Sequence, residues 1–484
     1  MPGSMSGMLS EGVEKMNGDE DPDDRLAIVA DGAFTHRDLD EASQRVAVRL
    51  LDGRLDLEEA RVAYVARPGF ALAALQRAIW LAGGVAVPLA VDHPPAERDY
   101  VVQDAGARLV DAGDLLGGTS LKAADALPLV DESRRAMIVY TSGTTGRPKG
   151  VVTTHANIRA QVASLVEAWG WARTDRMLLA LPMHHVHGIL NGLGCPLAAG
   201  ASCEMLPRFD AEAVWARMAS GDVTVFTGVP TMYQRLIAAW DAADAGEQRR
   251  RSAGARGMRL MMAGSAALPV PMFERWQAIT GHALLERYGM TETGMALSNP
   301  LDGERRPGAV GVPLPGVEVR LMDEQGRSVV TGEPGEIQVR GGSVFLEYWQ
   351  RPDATRAVFQ DGWFRTGDIA VVERGAYRML GRSSVDILKT GGYKVSALEV
   401  EAVLRRHPAI AECAVVGVED PEWGDRVSVA VELRDGAALT LDELRGWARA
   451  ELAPYKVPRA LVIVVALPRN SMGKVTKQDV KELF

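Results

Sequence analysis

Cysteine is scarce in this 484-residue chain: Cys195, Cys203 and Cys413 stand far apart, with neither CxxC nor metal-ligand spacing. That argues against a disulfide framework and a structural zinc site, and it suits a reducing compartment. An excess of positive charge is also missing. With 54 basic and 63 acidic residues the formal net charge is −9, which disfavours a general nucleic-acid or anionic-membrane binder while leaving room for local basic pockets. No uninterrupted apolar run reaches the roughly eighteen residues of a spanning helix, so none is predicted. Internal repeats are absent, and the one biased segment is residues 1–24. It is rich in Met, Gly and Ser, then acidic at Asp19, Glu20, Asp21, Asp23 and Asp24. A signal peptide needs an apolar core and a transit peptide an Arg-rich, acid-poor stretch. The segment therefore reads as a disordered leader, and the expected compartment is the cytoplasm.

What is present is ordinary for a soluble protein: 47% hydrophobic and 24% charged residues. The length implies two or three lobes rather than one core. From Arg25 to about Leu380, short apolar runs alternate with helical periodicity, the pattern of layered α/β structure. Met137–Tyr140 reads as a buried strand, Val151-Val152-Thr153 as the next. Ile158, Val162, Leu165, Val166 and Trp169 then recur at helical spacing. Leu260-Met261-Met262 is a further strand that runs into Gly264-Ser265-Ala266. The last hundred residues change character. Ser396-x-x-Glu399 and Thr440-x-x-Glu443 read as capping boxes, and Ala414–Val418, Val427–Glu432 and Leu461–Val465 as strands. The expected organisation is α/β, with a leader at 1–24, a large layered N-terminal domain at 25–381 and a small mobile α+β C-terminal domain at 382–484.

The strongest local signal is Thr141-Ser142-Gly143-Thr144-Thr145-Gly146-Arg147-Pro148-Lys149-Gly150. Hydroxyls, a backbone that permits close approach and a lysine make a cradle for polyphosphate. No Gly-Lys-Ser/Thr closes it, so it is not a Walker A loop. With it stand Tyr288-Gly289-Met290-Thr291-Glu292, Gly335-Glu336-Ile337, Trp363-Phe364-Arg365-Thr366-Gly367-Asp368, Gly381-Arg382 and Pro468-Arg469-Asn470-Ser471-Met472-Gly473-Lys474. In order and spacing, from about residue 25 to the end, this set resembles the adenylate-forming superfamily of acyl-CoA synthetases, peptide-synthetase adenylation domains and luciferases. Within it, Leu284–Leu301, Lys389–Glu401 and Leu452–Pro458 are most similar to malonyl-CoA and methylmalonyl-CoA synthetases.

The resemblance implies an acid–thiol ligase with a large adenylation domain. It would use ATP, Mg²⁺ and CoA to convert a carboxylate into an acyl-adenylate and then a thioester, with no tightly bound organic cofactor. ATP would be held by Thr141, Ser142, Gly143, Thr144, Thr145 and Lys149, by the adenine-edge segment Gly264, Ser265 and Ala266, and by the ring of Tyr288. Asp368 would accept the ribose hydroxyls and Arg382 brace the ribose or phosphate. Thr291 would meet the α-phosphate and Glu292 the metal, a hard cation that wants oxygen ligands. Lys474 would bridge carboxylate and ATP during adenylation, electrostatic stabilisation brought to the point where negative charge accumulates. The small domain would then rotate about a hinge and present Gly391, Gly392, Tyr393 and Lys394 to the thiol. Counting from Arg382 the hinge residue is Ser384, where relatives usually carry Asp or Lys.

Two features bear on the carboxylate. His185 matches a position that lines the acyl site, and His187 makes the second histidine of His-Val-His-Gly, as in malonyl-CoA synthetases. Arg287 matches the arginine that grips their distal carboxylate, a task suited to bidentate bonding. Plainer readings are a structural His187 and an Arg287 that is either in a surface pair with Glu286 or structural. The expected substrate is malonate or methylmalonate, and the alternative a medium- or long-chain fatty acid. A peptide-synthetase adenylation domain would usually place an aspartate near His185, and none stands between Leu181 and Gly194. Only ten residues follow Lys474, so no fused carrier domain is expected and free CoA is the acceptor. A non-catalytic nucleotide sensor would have lost Lys474 or Glu292.

Overall fold

The computed structural model describes residues 22–117, 127–141, 148–469 and 475–484. Among these the strands form three sheets, of fourteen, six and five strands. In the largest, Ser202–Met205, Arg176–Leu179, Val225–Gly228, Leu260–Ala263 and Leu285–Met290 run parallel and side by side. Val225–Gly228 and Leu260–Ala263 are buried at every residue, as parallel strands with covered faces must be. The helices Ala211–Ser220 and Val270–Thr280 meet through Trp215 and Trp276, fully buried and stacked 5.5 Å apart. Sheets of this kind take ligands outside the carboxyl ends of their strands. Here those ends carry Thr227, Gly264-Ser265 and Arg287, and the loop after Leu179 leads to His185 and His187.

Beyond Leu285–Met290 the same sheet continues antiparallel through Gly294–Ser298, Ala309–Pro313, Ala376–Arg382, Trp363–Glu373, Gly335–Gly341 and Val317–Met322. This arm sets Asp368 opposite Arg382. In the six-stranded sheet, Arg135–Thr141 and Lys149–Thr154 are antiparallel neighbours with Thr141 facing Lys149, so the phosphate-loop motif spans a hairpin.

Sequence reading puts the domain junction at Gly381-Arg382. Both residues belong to the last strand of the large sheet, and the change of sheet falls in the turn 383–386, before Ile387–Thr390. The small sheet is built on Ile410–Asp420 and Gly424–Leu433, with Ala460–Val464 parallel to the latter. Val400, Leu404, Val415, Val429 and Leu444 form its core. One capping box forms and the other does not. Thr440 and Glu443 exchange both bonds, whereas Ser396 accepts from the Glu399 N–H while the Glu399 carboxylate takes the Lys456 ammonium at 2.6 Å. A charged donor outbids a neutral backbone N–H for a carboxylate. No helix among the described residues is long and apolar enough to cross a membrane.

Candidate active site

Three residues from distant motifs converge in the expected ribose corner. The Tyr288 hydroxyl donates to Asp368 Oδ2 at 2.6 Å, and Arg382 Nε donates to Oδ1 at 2.9 Å. Burial opposes the guanidinium charge, and Asp368 more than compensates, so the pKa of Arg382 rises. Each carboxylate oxygen keeps a lone-pair site beyond the bond it already makes, which leaves Asp368 fixed yet able to accept hydroxyls. Tyr288, expected to offer its face, also spends its hydroxyl on Asp368. Replacing Asp368 with alanine should cut kcat/KM for ATP about ten- to hundred-fold, since a charged acceptor contributes roughly 1.5–3 kcal/mol. Initial rates against ATP concentration check this, and unchanged ATP kinetics would remove Asp368 from the site.

Thr291 and Glu292 lie in the turn between Leu285–Met290 and Gly294–Ser298. Thr291 is half-buried. The Glu292 carboxylate is buried, and burial raises its pKa, opposed by the hydrogen bond from the Tyr348 hydroxyl to Oε1 at 2.9 Å. Lys149 Nζ lies over the Tyr348 ring, 5.4 Å from its centre. A single carboxylate with neighbouring hydroxyls is an oxygen-only donor set. Among the described residues no group of three or more His, Cys, Asp or Glu is arranged to hold a metal. Magnesium does not require such a cage, because it binds through one or two carboxylates, substrate phosphates and water.

The second cluster surrounds Arg287, which is 3% exposed. Its Nη2 bonds to His187 Nε2, and that nitrogen also meets Thr227 Oγ1 at 2.9 Å. His187 Nδ1 lies 3.2 Å from Ser265 Oγ. A guanidinium can only donate, so Nε2 must accept and the imidazole proton belongs on Nδ1, directed at Ser265. Ser265 in turn keeps its own proton for another acceptor. Arg287 Nε and Nη1 are buried and have no hydrogen-bond partner among the described residues. Burial lowers the Arg287 pKa to about 10, which still leaves it charged at neutral pH. Gly264 makes the room, since a Cβ there would run into the guanidinium. A surface pair with Glu286 does not form. Glu286 is itself buried, strand alternation turns it to the other face, and it accepts from the Gly308 N–H at 3.0 Å. Without a cation beside it, burial pushes the Glu286 carboxyl up to about 8.

The other expected residues have these surroundings. His185 is half-buried, 4.0 Å from the ring of His184, whose pKa burial lowers to about 4. Ala266 is exposed beside Ser265, which has φ +68°. The Gly391-Gly392 turn packs at Trp423: the Gly391 N–H donates to its carbonyl at 2.8 Å, and both glycines have positive φ. Tyr393 stacks on Tyr455 at 4.1 Å, and Lys394 pairs with Glu324 of the large domain at 2.8 Å. Ser384 is exposed in the turn 383–386. Ser142, Gly143, Thr144, Thr145 and Lys474 lie outside the described residues. Sequence reasoning missed Thr227 and Tyr348. The former is a lone threonine at a strand end, and the only hint of the latter is an aromatic pair ahead of Pro352.

Comparison with known proteins identifies the family. The AMP-binding enzyme profile matches residues 15–127 and 111–349, and the profile of the AMP-binding enzyme C-terminal domain matches 399–474. The chain is 45% identical to the mitochondrial malonate–CoA ligase ACSF3 of Bos taurus, over 95% of this chain and 89% of that one. It is 41% identical to the malonate–CoA ligase of Arabidopsis thaliana, over 95% and 86%. The structure is similar to that of ATP-bound MatB from Rhodopseudomonas palustris, with TM-score 0.87, 34% identity and coverage of 96% and 97%. Its likeness to a malonyl-CoA ligase product complex holding methylmalonyl-CoA and AMP has TM-score 0.68, at 37% identity and 93% and 98% coverage.

Proposed function

This chain belongs to the AMP-binding enzyme family, and from that premise we propose that it ligates malonate, or its methyl derivative, to CoA. In the first step a carboxylate oxygen attacks the α-phosphorus of ATP and pyrophosphate leaves. In the second the CoA sulfur attacks the acyl carbon and AMP leaves. The observation that carries the dicarboxylate reading is the buried Arg287 guanidinium, with two nitrogens unpartnered among the described residues and the Ser265 hydroxyl close by at His187. A buried charge without a counterion is costly, so a guanidinium kept in that state is suited to an anion that arrives with the substrate. The 45% and 41% identities to malonate–CoA ligases support the same reading.

In this reading Tyr288, Asp368 and Arg382 hold the nucleoside, and Lys149 lies at the foot of the phosphate hairpin. Glu292, with Thr291 alongside, would hold Mg²⁺, which when bound would neutralise charge on the phosphates as pyrophosphate departs. His187 keeps Arg287 in place and is itself kept in one tautomer by Arg287, which can only donate to Nε2. A domain rotation between the half-reactions is supported by the fall in TM-score from 0.87 for ATP-bound MatB to 0.68 for the product complex, although identity does not fall. The three thiols are free and buried, in keeping with a reducing compartment, which we take to be the cytoplasm.

The test is a CoA-ligation panel of malonate, methylmalonate, succinate, acetate, butyrate and octanoate, scored by AMP and thioester formed. Malonate and methylmalonate should give the highest kcat/KM. If butyrate or octanoate leads, the enzyme is a fatty acyl-CoA synthetase.

A further inference from the structure

Tyr348 touches both oppositely charged groups expected beside the triphosphate, yet belongs to neither motif. It lies on the two-residue strand Glu347–Tyr348, antiparallel to Lys149–Thr154 with Tyr348 opposite Val151. The segment around it is stitched on both sides. Leu346 N–H donates to Val152 O at 2.9 Å and Trp349 N–H to Gly150 O at 2.8 Å, while Phe345 N–H donates to the Glu292 carbonyl at 2.7 Å. The strand that begins with Lys149 and the turn that carries Glu292 therefore hang on one short piece of backbone. The Tyr348 side chain repeats the connection. Its hydroxyl holds Glu292 Oε1, its ring lies under Lys149, and the ring packs 4.8 Å from Phe345.

We propose that Tyr348 is a positioning residue for adenylation: its hydroxyl fixes the Glu292 rotamer so that the other carboxylate oxygen faces the metal on the triphosphate. The inference rests on the reading of Glu292 as the magnesium acid. A glutamate has three rotatable bonds, and a buried one gains most from a partner that removes that freedom. Groups that orient a metal ligand without touching the metal characteristically change affinity for it rather than for the nucleotide alone.

Tyr348→Phe keeps the ring, the Phe345 packing and the Lys149 contact, and removes only the hydroxyl. With Mn²⁺ as the probe, paramagnetic titration of the ATP-saturated enzyme without carboxylate reads metal affinity directly. Calorimetric ATP binding in excess chelator reads the nucleotide alone. The expected result is about a ten-fold loss of Mn²⁺ affinity, with metal-free ATP affinity unchanged. The free Mg²⁺ needed for half-maximal adenylation should rise by the same factor, and kcat should be recovered at high Mg²⁺. Glu292→Gln is the companion variant. If it loses Mn²⁺ affinity and Tyr348→Phe does not, the hydroxyl has no positioning role and the inference is overturned. If neither variant loses affinity, the magnesium assignment of Glu292 falls and this inference falls with it. A loss of metal-free ATP affinity equal to the Mn²⁺ loss in Tyr348→Phe also overturns it, because the tyrosine would then be shaping the pocket as a whole.

Discussion

Replacing Lys474 with alanine is expected to drop the adenylation half-reaction by about a hundred- to a thousand-fold, the size of effect seen when one preorganised charge-stabilising donor is removed. Thioester formation from supplied acyl-adenylate should be unaffected. The asymmetry follows from charge. In adenylation a carboxylate approaches a polyphosphate, and an ammonium 4 Å away contributes about 4 kcal/mol at an effective dielectric constant near 20. In the thiol step the pyrophosphate has gone and that need has gone with it. The described residues on either side of 470–474 belong to the small domain. Arg469 bridges to Val475, Thr476 N–H donates to Pro468 O at 2.9 Å, and Lys477 is ion-paired with buried Glu401 and donates to Val415 O at 2.7 Å. Separate assays of the two half-reactions decide it. Equal loss of both would assign Lys474 to folding instead.

The parts of this site that the sequence announces are contiguous motifs. The run from Thr141 to Lys149, the turn with Thr291 and Glu292, and the motifs that carry Asp368 and Arg382 were each legible as a motif, whereas the ion pair between Asp368 and Arg382 was not. What could not be read came from groups brought together by tertiary structure. Thr227 reaches His187 across 40 residues and Tyr348 reaches Glu292 across 56. Neither residue has a local pattern, because a hydroxyl at the end of a strand is equally a solvated surface group. The failure of the Ser396–Glu399 capping box has the same origin. Lys456, 57 residues away, claims the carboxylate that local geometry would have given to the backbone. Leu260-Met261-Met262 was legible as a strand for a different reason: a parallel strand covered on both faces is a continuous apolar run.

The substitution that decides the substrate class is Arg287→Leu. If Arg287 meets the distal carboxylate, it offsets the desolvation of malonate's second charge, and its loss leaves an anion in a pocket that no longer solvates it. Truncating one partner of such a pair costs about 2–5 kcal/mol, roughly thirty- to several-thousand-fold in kcat/KM for malonate. Butyrate has no second charge, so the variant should accept it as well as before or better. Stability should not suffer. The wild-type guanidinium is buried with Nε and Nη1 unpartnered among the described residues, and an apolar replacement removes that desolvation cost. His187 would lose its Nη2 partner and retain Thr227 and Ser265, so the pocket wall should persist. The measurement is the malonate-to-butyrate ratio of kcat/KM in wild type and variant, with Tm as the control for folding. A ratio that collapses at unchanged Tm assigns Arg287 to the distal carboxylate. If both acids fall together and Tm drops, the arginine holds the strand ends in place, and the dicarboxylate reading fails.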